Sequence, residues 1–365
     1  MKGASGPIAG ATVETAGGGT GAPLLVLEDV ARTFDVSPPW LNRVLERRPR
    51  TLLHAVDGVS LAIERGETLA LVGESGCGKS TVARLIVGLH APTRGSIRFD
   101  GTVLAGDGAG AVAPAARRLA RRGMQMIFQD PYASLNPRWR VRDIVAEPIL
   151  ARSSAVPPRE IDTRVAALLA QVGLAASDGA KYPHQFSGGQ RQRISIARAL
   201  STEPRFLVCD EPTSALDVSV QAQVLNLMRD LQRRLGLTYL FISHNLAVVH
   251  HVADRVGVMY LGRVAEIAPT RRLFALPQHP YTRMLLEAVP DLSIVGRERV
   301  AVAGEVPNPL DPPPGCTFHP RCPSAEDRCR REAPMLRRCA AGGEVACHAV
   351  EEGRLDVRVA AAAAS

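Results

Sequence analysis

The sequence predicts an α/β protein built on a largely parallel sheet, and three observations carry that prediction. Short apolar β-runs alternate with helical stretches. One run, Leu69 to Val72, enters a glycine-rich loop followed by an apolar helix. Another, Phe206 to Asp210, ends in two adjacent carboxylates. With 365 residues, 46% of them hydrophobic and 22% charged, the chain can bury a full core and falls outside the disordered class. No run approaches the ~18 apolar residues of a membrane span. The Gly/Ala-rich N-terminus offers no apolar export segment, so neither a membrane-embedded nor a secreted protein is expected.

The net charge of +8 raises the question of a polyanion partner. Only Lys2, Lys79 and Lys181 among the 44 basic residues are lysines, and the arginines are scattered in pairs such as Arg47–Arg48 and Arg233–Arg234. A bias toward Arg and Ala accounts for the excess, so no nucleic-acid partner is expected. An anionic membrane surface nearby fits the charge equally well.

Residues 1–22 read as a disordered Gly/Ala/Thr tail. From Leu24 the pattern is β: L-L-V-L-E-D-V, then Val59–Ile63 closed by the turn Glu64–Glu67, then Leu69–Val72. Helix Val82–Leu89 follows, then the strand S-I-R-F-D-G ending at Gly101. Residues 102–116 read as a low-complexity Ala/Gly loop, and 157–200 as helical with a break near Gly173. Three β-runs come next, Phe206–Asp210, Tyr239–Ser243 and Val256–Tyr260. The helix between the first two carries Val220, Val224, Leu227, Leu231 and Leu235 on one face and stops at Gly236. After Pro269 the chain turns Pro-, Arg- and Cys-rich, which marks a C-terminal extension.

Gly73-Glu74-Ser75-Gly76-Cys77-Gly78-Lys79-Ser80, with Thr81 following, fits G-x-x-x-x-G-K-[ST] between a buried strand and a helix. Glycines let backbone N–H groups converge on phosphate oxygens, and the helix start adds its positive dipole end. Lys79 is the candidate for the β- and γ-phosphates, and Ser80 for magnesium. A lysine here, in a chain that uses arginine almost everywhere else, fits a need for a compact point charge. The motif implies a nucleoside triphosphate. Asp210, at its strand's end, is placed to hold magnesium, and Glu211 beside it to act as general base. Phe186-Ser187-Gly188-Gly189-Gln190 opens a helix with exposed N–H groups, a second anion cradle.

Taken together, these elements resemble the ATP-binding subunits of ABC transporters over about residues 24–350. Gln129 in I-F-Q-D-P looks like the Q-loop, Phe186–Gln190 like the signature with Phe in place of the usual Leu, Ser214–Asp217 like the D-loop, and His244 like the switch histidine. Asn245 stands where the family commonly has Asp. The resemblance implies a P-loop (RecA-like) cassette over residues 23–268, with an N-terminal antiparallel β subdomain and a helical subdomain at about 129–200. The extension follows at 269–350, and a flexible tail at 351–365. It also implies head-to-tail pairing, in which ATP lies between one phosphate loop and the partner's Ser187, Gly188, Gly189 and Gln190. Catalysis then falls to Glu211, His244 and Gln129, with Ser80, Gln129 and Asp210 around magnesium. The adenine-stacking aromatic is open between Phe34 and His54, because Pro38–Arg47 reads as an insertion.

D-P-Y-A-S-L-N-P-R (130–138), H-P-Y-T (279–282) and P-P-P-G-C-T-F-H-P-R-C-P (312–323) narrow the resemblance to the oligopeptide/dipeptide importer ATPases. That group implies a second, unlike ATPase subunit, two permease subunits, a solute-binding protein, and a peripheral place on the cytoplasmic face of the inner membrane. Nickel and glutathione importers share the motifs. A repair or translation ATPase of the same superfamily is the competing class. A single phosphate loop, a single signature and no long heptad run between them favour transport. The segment 131–145, with Tyr132, Leu135, Trp139 and Val141, is expected to dock on a permease. Some peptide-importer ATPases hold a four-iron four-sulfur cluster in this C-terminal region, which makes Cys316, Cys322, Cys329 and Cys347 candidate ligands. Zinc and free thiols stay open as alternatives.

Overall fold

Apolar residues two apart on the central strands must face opposite ways, and that alternation organises the molecule. The computed structural model describes residues 21–39, 42–43, 49–108, 110, 112–152, 156–288, 304–340 and 342–355. Most of the expected N-terminal tail, most of the Pro38–Arg47 insertion and the last ten residues lie outside them. Strands β1 (Leu25–Asp35), β2 (Leu52–Ile63), β4 (Arg94–Phe99) and β5 (Thr102–Gly106) form one antiparallel sheet in the order β2-β1-β4-β5. The second sheet contains β3 (Thr68–Val72), β6 (Met124–Ile127), β7 (Phe206–Asp210), β8 (Thr238–Ile242), β9 (Arg255–Tyr260), β10 (Arg263–Pro269), β11 (Arg337–Arg338) and β12 (Glu344–Val345). Its order is β11-β12-β10-β9-β3-β8-β7-β6, parallel from β9 to β6.

On β3, β7 and β8 the residues Leu69, Leu71, Phe206, Val208, Leu240 and Ile242 enter the core shared with the antiparallel sheet and helix Lys79–Ile86. Their neighbours Ala70, Val72, Leu207, Cys209, Tyr239 and Phe241 enter the other core, beneath the helical region and helix Val218–Leu235. Strands apolar on both faces are what a sheet covered on both sides requires.

Two stretches differ from the sequence reading. Residues 102–116 are not a single loop: β5 pairs with β4 across the turn Asp100–Gly101, and Pro114–Arg121 is helical. That helix buries no residue, so no apolar stripe announced it. In the segment 131–145, a short helix Pro131–Ser134 precedes the helix Val141–Arg152, which buries Val141, Ile144, Val145 and Ile149. Leu135 and Val141 therefore belong to the core, while Tyr132 (62% exposed) and Trp139 (41% exposed) remain on the surface.

The extension is stitched into the cassette. β12 pairs with β10, and Tyr281 and Phe318 join the larger core. Glu266 of β10, 1% exposed, accepts the Gln278 and His279 N–H groups and pairs with Arg272.

Candidate functional site

The phosphate loop connects β3 to helix Lys79–Ile86. Gly73 (φ +149°) and Gly78 (φ +104°) have no room for side chains, since a Cβ would stand 2.2 Å from Met259 O and 2.3 Å from Ala55 O. Lys79 is buried, and its Nζ donates to Gly73 O (2.8 Å) and Glu74 O (2.9 Å). Ser75 and Gly76 are exposed, and Ser80 and Thr81 are half-buried in the first helical turn. Cys77 turns its thiol into the core, where burial pushes its pKa up.

Ser80 Oγ donates to Asp210 Oδ1 at 2.9 Å, joining the loop to the end of β7. Asp210 is 4% exposed. Burial pushes its carboxyl up, the Ser80 hydrogen bond opposes that, and neighbouring Glu211 adds to it. Glu211 has a φ of +47°, in the left-handed region, and its N–H donates to Ile242 O. The turn brings its carboxylate between two partners: Gln129 Nε2 donates to Oε2 at 3.0 Å, and His244 Nδ1 lies 3.2 Å from Oε1. The three residues expected to be catalytic thus converge from the ends of β6, β7 and β8. Asn245 caps helix Leu246–Val252, accepting the Ala247 and Val248 N–H groups at 3.0 and 3.3 Å. Asn and Asp cap equally well, so the S-H-N departure leaves His244 held in the same way.

Ser187 caps helix Gly188–Leu200 reciprocally with Gln190: Ser187 Oγ accepts the Gln190 N–H and Gln190 Oε1 accepts the Ser187 N–H. A Cβ on Gly189 would stand 2.3 Å from Val220 Cγ1, and one on Gly188 3.3 Å from Leu216 Cδ2. The glycines therefore serve close packing on the D-loop and on the helix that follows it. Gln221 Nε2 holds that loop through Thr213 O (2.8 Å) and Leu216 O (3.0 Å).

Of the two adenine-stacking candidates, Phe34 already carries Arg32 over its ring at 4.5 Å and meets His90 edge-on. His54 instead lines a cavity of about 320 Å³ with Asp57, Arg263 and Pro312–Pro314, one residue from the Ala55 carbonyl that abuts Gly78.

In the extension, Cys316, Cys322 and Cys347 lie close enough to one another and to Cys329 that neighbouring thiols help hold their own thiols protonated. Burial is the leading cause, and it pushes Cys316 up to about 11. Cys339 stands apart, its Sγ donating to Gly342 O at 3.2 Å. Among the described residues no group of three or more His, Cys, Asp or Glu is arranged to hold a metal, so the iron–sulfur expectation finds no preformed site. Tyr281 and Arg321, both in contact with Glu74, were not singled out as site residues in the sequence. The motifs H-P-Y-T and H-P-R-C-P that contain them were the available signal.

Family profiles match residues 56–214 as "ABC transporter" and 265–329 as "Oligopeptide/dipeptide transporter, C-terminal region". The chain is 49% identical over 330 residues to the di/tripeptide transport ATP-binding protein DppF of Pseudomonas aeruginosa, covering 90% of this chain and 98% of that protein. It is 48% identical over 328 residues to the oligopeptide transport ATP-binding protein AppF of Bacillus subtilis, covering 89% and 97%. Among solved structures, cbiO1 of Clostridium perfringens, part of the transporter complex cbiONQ, matches with a TM-score of 0.57 at 28% identity, over 69% of this chain and 90% of that one. The dimeric cassette MJ0796 bound to ADP and phosphate matches with a TM-score of 0.57 at 26% identity, over 68% and 99%. With its phosphate loop, Glu211 cluster and C-terminal region all accounted for, the chain belongs to the ATP-hydrolysing, ATP-binding subunits of oligopeptide/dipeptide-type ABC transporters.

Proposed function

We propose that this chain hydrolyses ATP to drive uptake of short peptides through two partner permeases. It works at the cytoplasmic face of the inner membrane, beside a second, related ATPase subunit and downstream of a solute-binding protein. The observation that carries the reading is Glu211, held between Gln129 and His244 next to the Ser80–Asp210 contact. Glu211 takes a proton from the attacking water, His244 steadies the carboxylate, and Gln129 links the site to the segment 131–139. Ser80, Asp210 and Gln129 supply hard oxygen donors, the set that suits magnesium, and two adjacent carboxylates call for a cation between them and a triphosphate. Bound with ATP, magnesium neutralises phosphate charge.

Ser187, Gly188, Gly189 and Gln190 complete the site of the partner ATPase, so each site is assembled from two chains. His54 is the better candidate of the two for contact with adenine, because it borders a cavity beside the loop. Tyr132 and Trp139 form the permease-facing surface, backed by Arg191, whose guanidinium lies 3.9 Å over the Tyr132 ring. The carrying experiment is ATP hydrolysis by the assembled complex with added peptide and binding protein. Stimulation by peptide supports the reading, and indifference to it contradicts it.

A second reading concerns the extension. Cys316, Cys322, Cys329 and Cys347 are the right donor type and number for a structural four-iron four-sulfur cluster, which would have to draw them together on binding, since no preformed site exists among the described residues. Anaerobically purified protein should then be brown and contain iron, and Cys322→Ser should remove both. Colourless, iron-free protein contradicts it.

A further inference from the structure

Glu74, the second residue of the phosphate loop, has a partner at every polar group it carries, and its N–H and carboxylate are held by residues outside the nucleotide motifs. Its N–H donates to the Tyr281 hydroxyl at 2.9 Å. Its carbonyl accepts from Lys79 Nζ at 2.9 Å. Its carboxylate takes both arms of Arg321, Nη1 at 2.8 Å and Nη2 at 3.1 Å, a bidentate pair formed across 247 residues of sequence. The Arg321 side chain is 2% exposed and that of Glu74 22% exposed, so the pair is largely withdrawn from water. Arg321 stands on the turn His319–Arg321, with its guanidinium 5.8 Å from the Tyr260 ring centroid. Tyr260, Tyr281 and Phe318 pack around it with ring centroids 4.7 to 5.4 Å apart.

A carboxylate in a loop that must receive a triphosphate is an electrostatic liability, since like charges repel strongly where water is scarce. A loop position that tolerates many residue types has no intrinsic need for Glu. Here the carboxylate has a cation fitted to it by the extension, which removes the repulsion and pins the residue whose carbonyl tethers Lys79.

We propose that Arg321 is a positioning residue for ATP: it neutralises Glu74 and fixes the loop, which makes the C-terminal extension part of the nucleotide site. The inference rests on the ATP-site reading above. It explains why the extension carries a buried arginine paired with a carboxylate 247 residues away in sequence.

The test uses the full-length chain, a fluorescent ATP analogue and thermal melts on the same samples. Arg321→Gln leaves Glu74 uncompensated and should weaken binding by about tenfold or more. Glu74→Gln removes the negative charge and one of the two acceptor oxygens but leaves a cation near the phosphates, so its affinity should match or exceed that of the wild type despite a lower melting temperature. The double variant should recover most of the Arg321→Gln loss, and Arg321→Lys should fall between. A purely structural pair predicts the opposite, with both single variants and the double weakened in proportion to their lost stability. That result, or unchanged affinity in Arg321→Gln, overturns the proposal. If Arg321→Gln does not fold, the sign of the Glu74→Gln effect still decides, since weaker binding there refutes it. Failure of the wild type to bind the analogue would fault the ATP-site reading instead.

Discussion

Glu211 occupies a left-handed backbone conformation that residues with side chains seldom adopt, and the turn it makes is what swings its carboxylate between Gln129 and His244. Replacing it with Gln keeps the shape and removes the base. Hydrolysis by the assembled transporter should fall by about a hundredfold or more while ATP binding persists. A single-turnover assay beside a binding titration checks both halves. Another residue-scale consequence concerns His279, which caps helix Pro280–Glu287 by accepting the Tyr281 N–H on Nδ1 at 3.0 Å. Burial pushes its imidazole from the ordinary 6.5 down to about 4. The unfolded ring therefore binds a proton that the folded ring refuses, and stability is lost as pH falls from about 6.5 toward 4. The loss amounts to about 3 kcal/mol at the acid end and to nothing above the unfolded pKa. Melting temperatures across that window should drop in the wild type. They should flatten in His279→Asn, which retains an acceptor for the cap. The sequence made His279 visible as part of a motif, but its role depends on enclosure by β10 and the extension, which no local pattern reveals.

The elements that could be read in advance are those whose residues are dictated by what covers them. β3, β7, β8 and β9 are continuous apolar runs because both faces of the sheet are buried, and each was located to within a residue or two. β5 escaped because Ala and Gly give no alternation, and because its pairing is set by the turn before it. Helix Val141–Arg152 lies inside the helical subdomain expected at about 129–200, and Val141, Ile144, Val145 and Ile149 carry its period despite Pro148. That helix leaves Tyr132 and Trp139 outward. Arg191 covers the Tyr132 ring, and Arg198 of the same helix reaches Ser134 O at 3.1 Å and Glu147 at 2.7 Å. This surface is thus in direct contact with the helix that begins at the signature. Trp139→Asp should lower peptide taken up per ATP hydrolysed by about tenfold, the scale of losing an aromatic anchor. An unchanged ratio would return Trp139 to ordinary packing.

At the scale of the molecule, the phosphate loop and Glu211 cluster meet within one chain, while Ser187–Gln190 open a separate helix, the one proposed above to complete a partner's site. The purified chain alone should therefore hydrolyse ATP slowly, with a specific rate that climbs with concentration or on adding its partner ATPase. Light scattering run beside the assay ties rate to assembly. Conversion of ATP into peptide import, proposed above for this chain, is tested most directly by uptake of a labelled dipeptide into proteoliposomes. These would hold the permeases, the partner ATPase and this chain, with binding protein outside and ATP within. Uptake should require ATP and this chain and should collapse when Lys79→Ala is substituted for the wild type. ATP-dependent uptake that proceeds equally well with Lys79→Ala, or without the chain, would contradict the proposal.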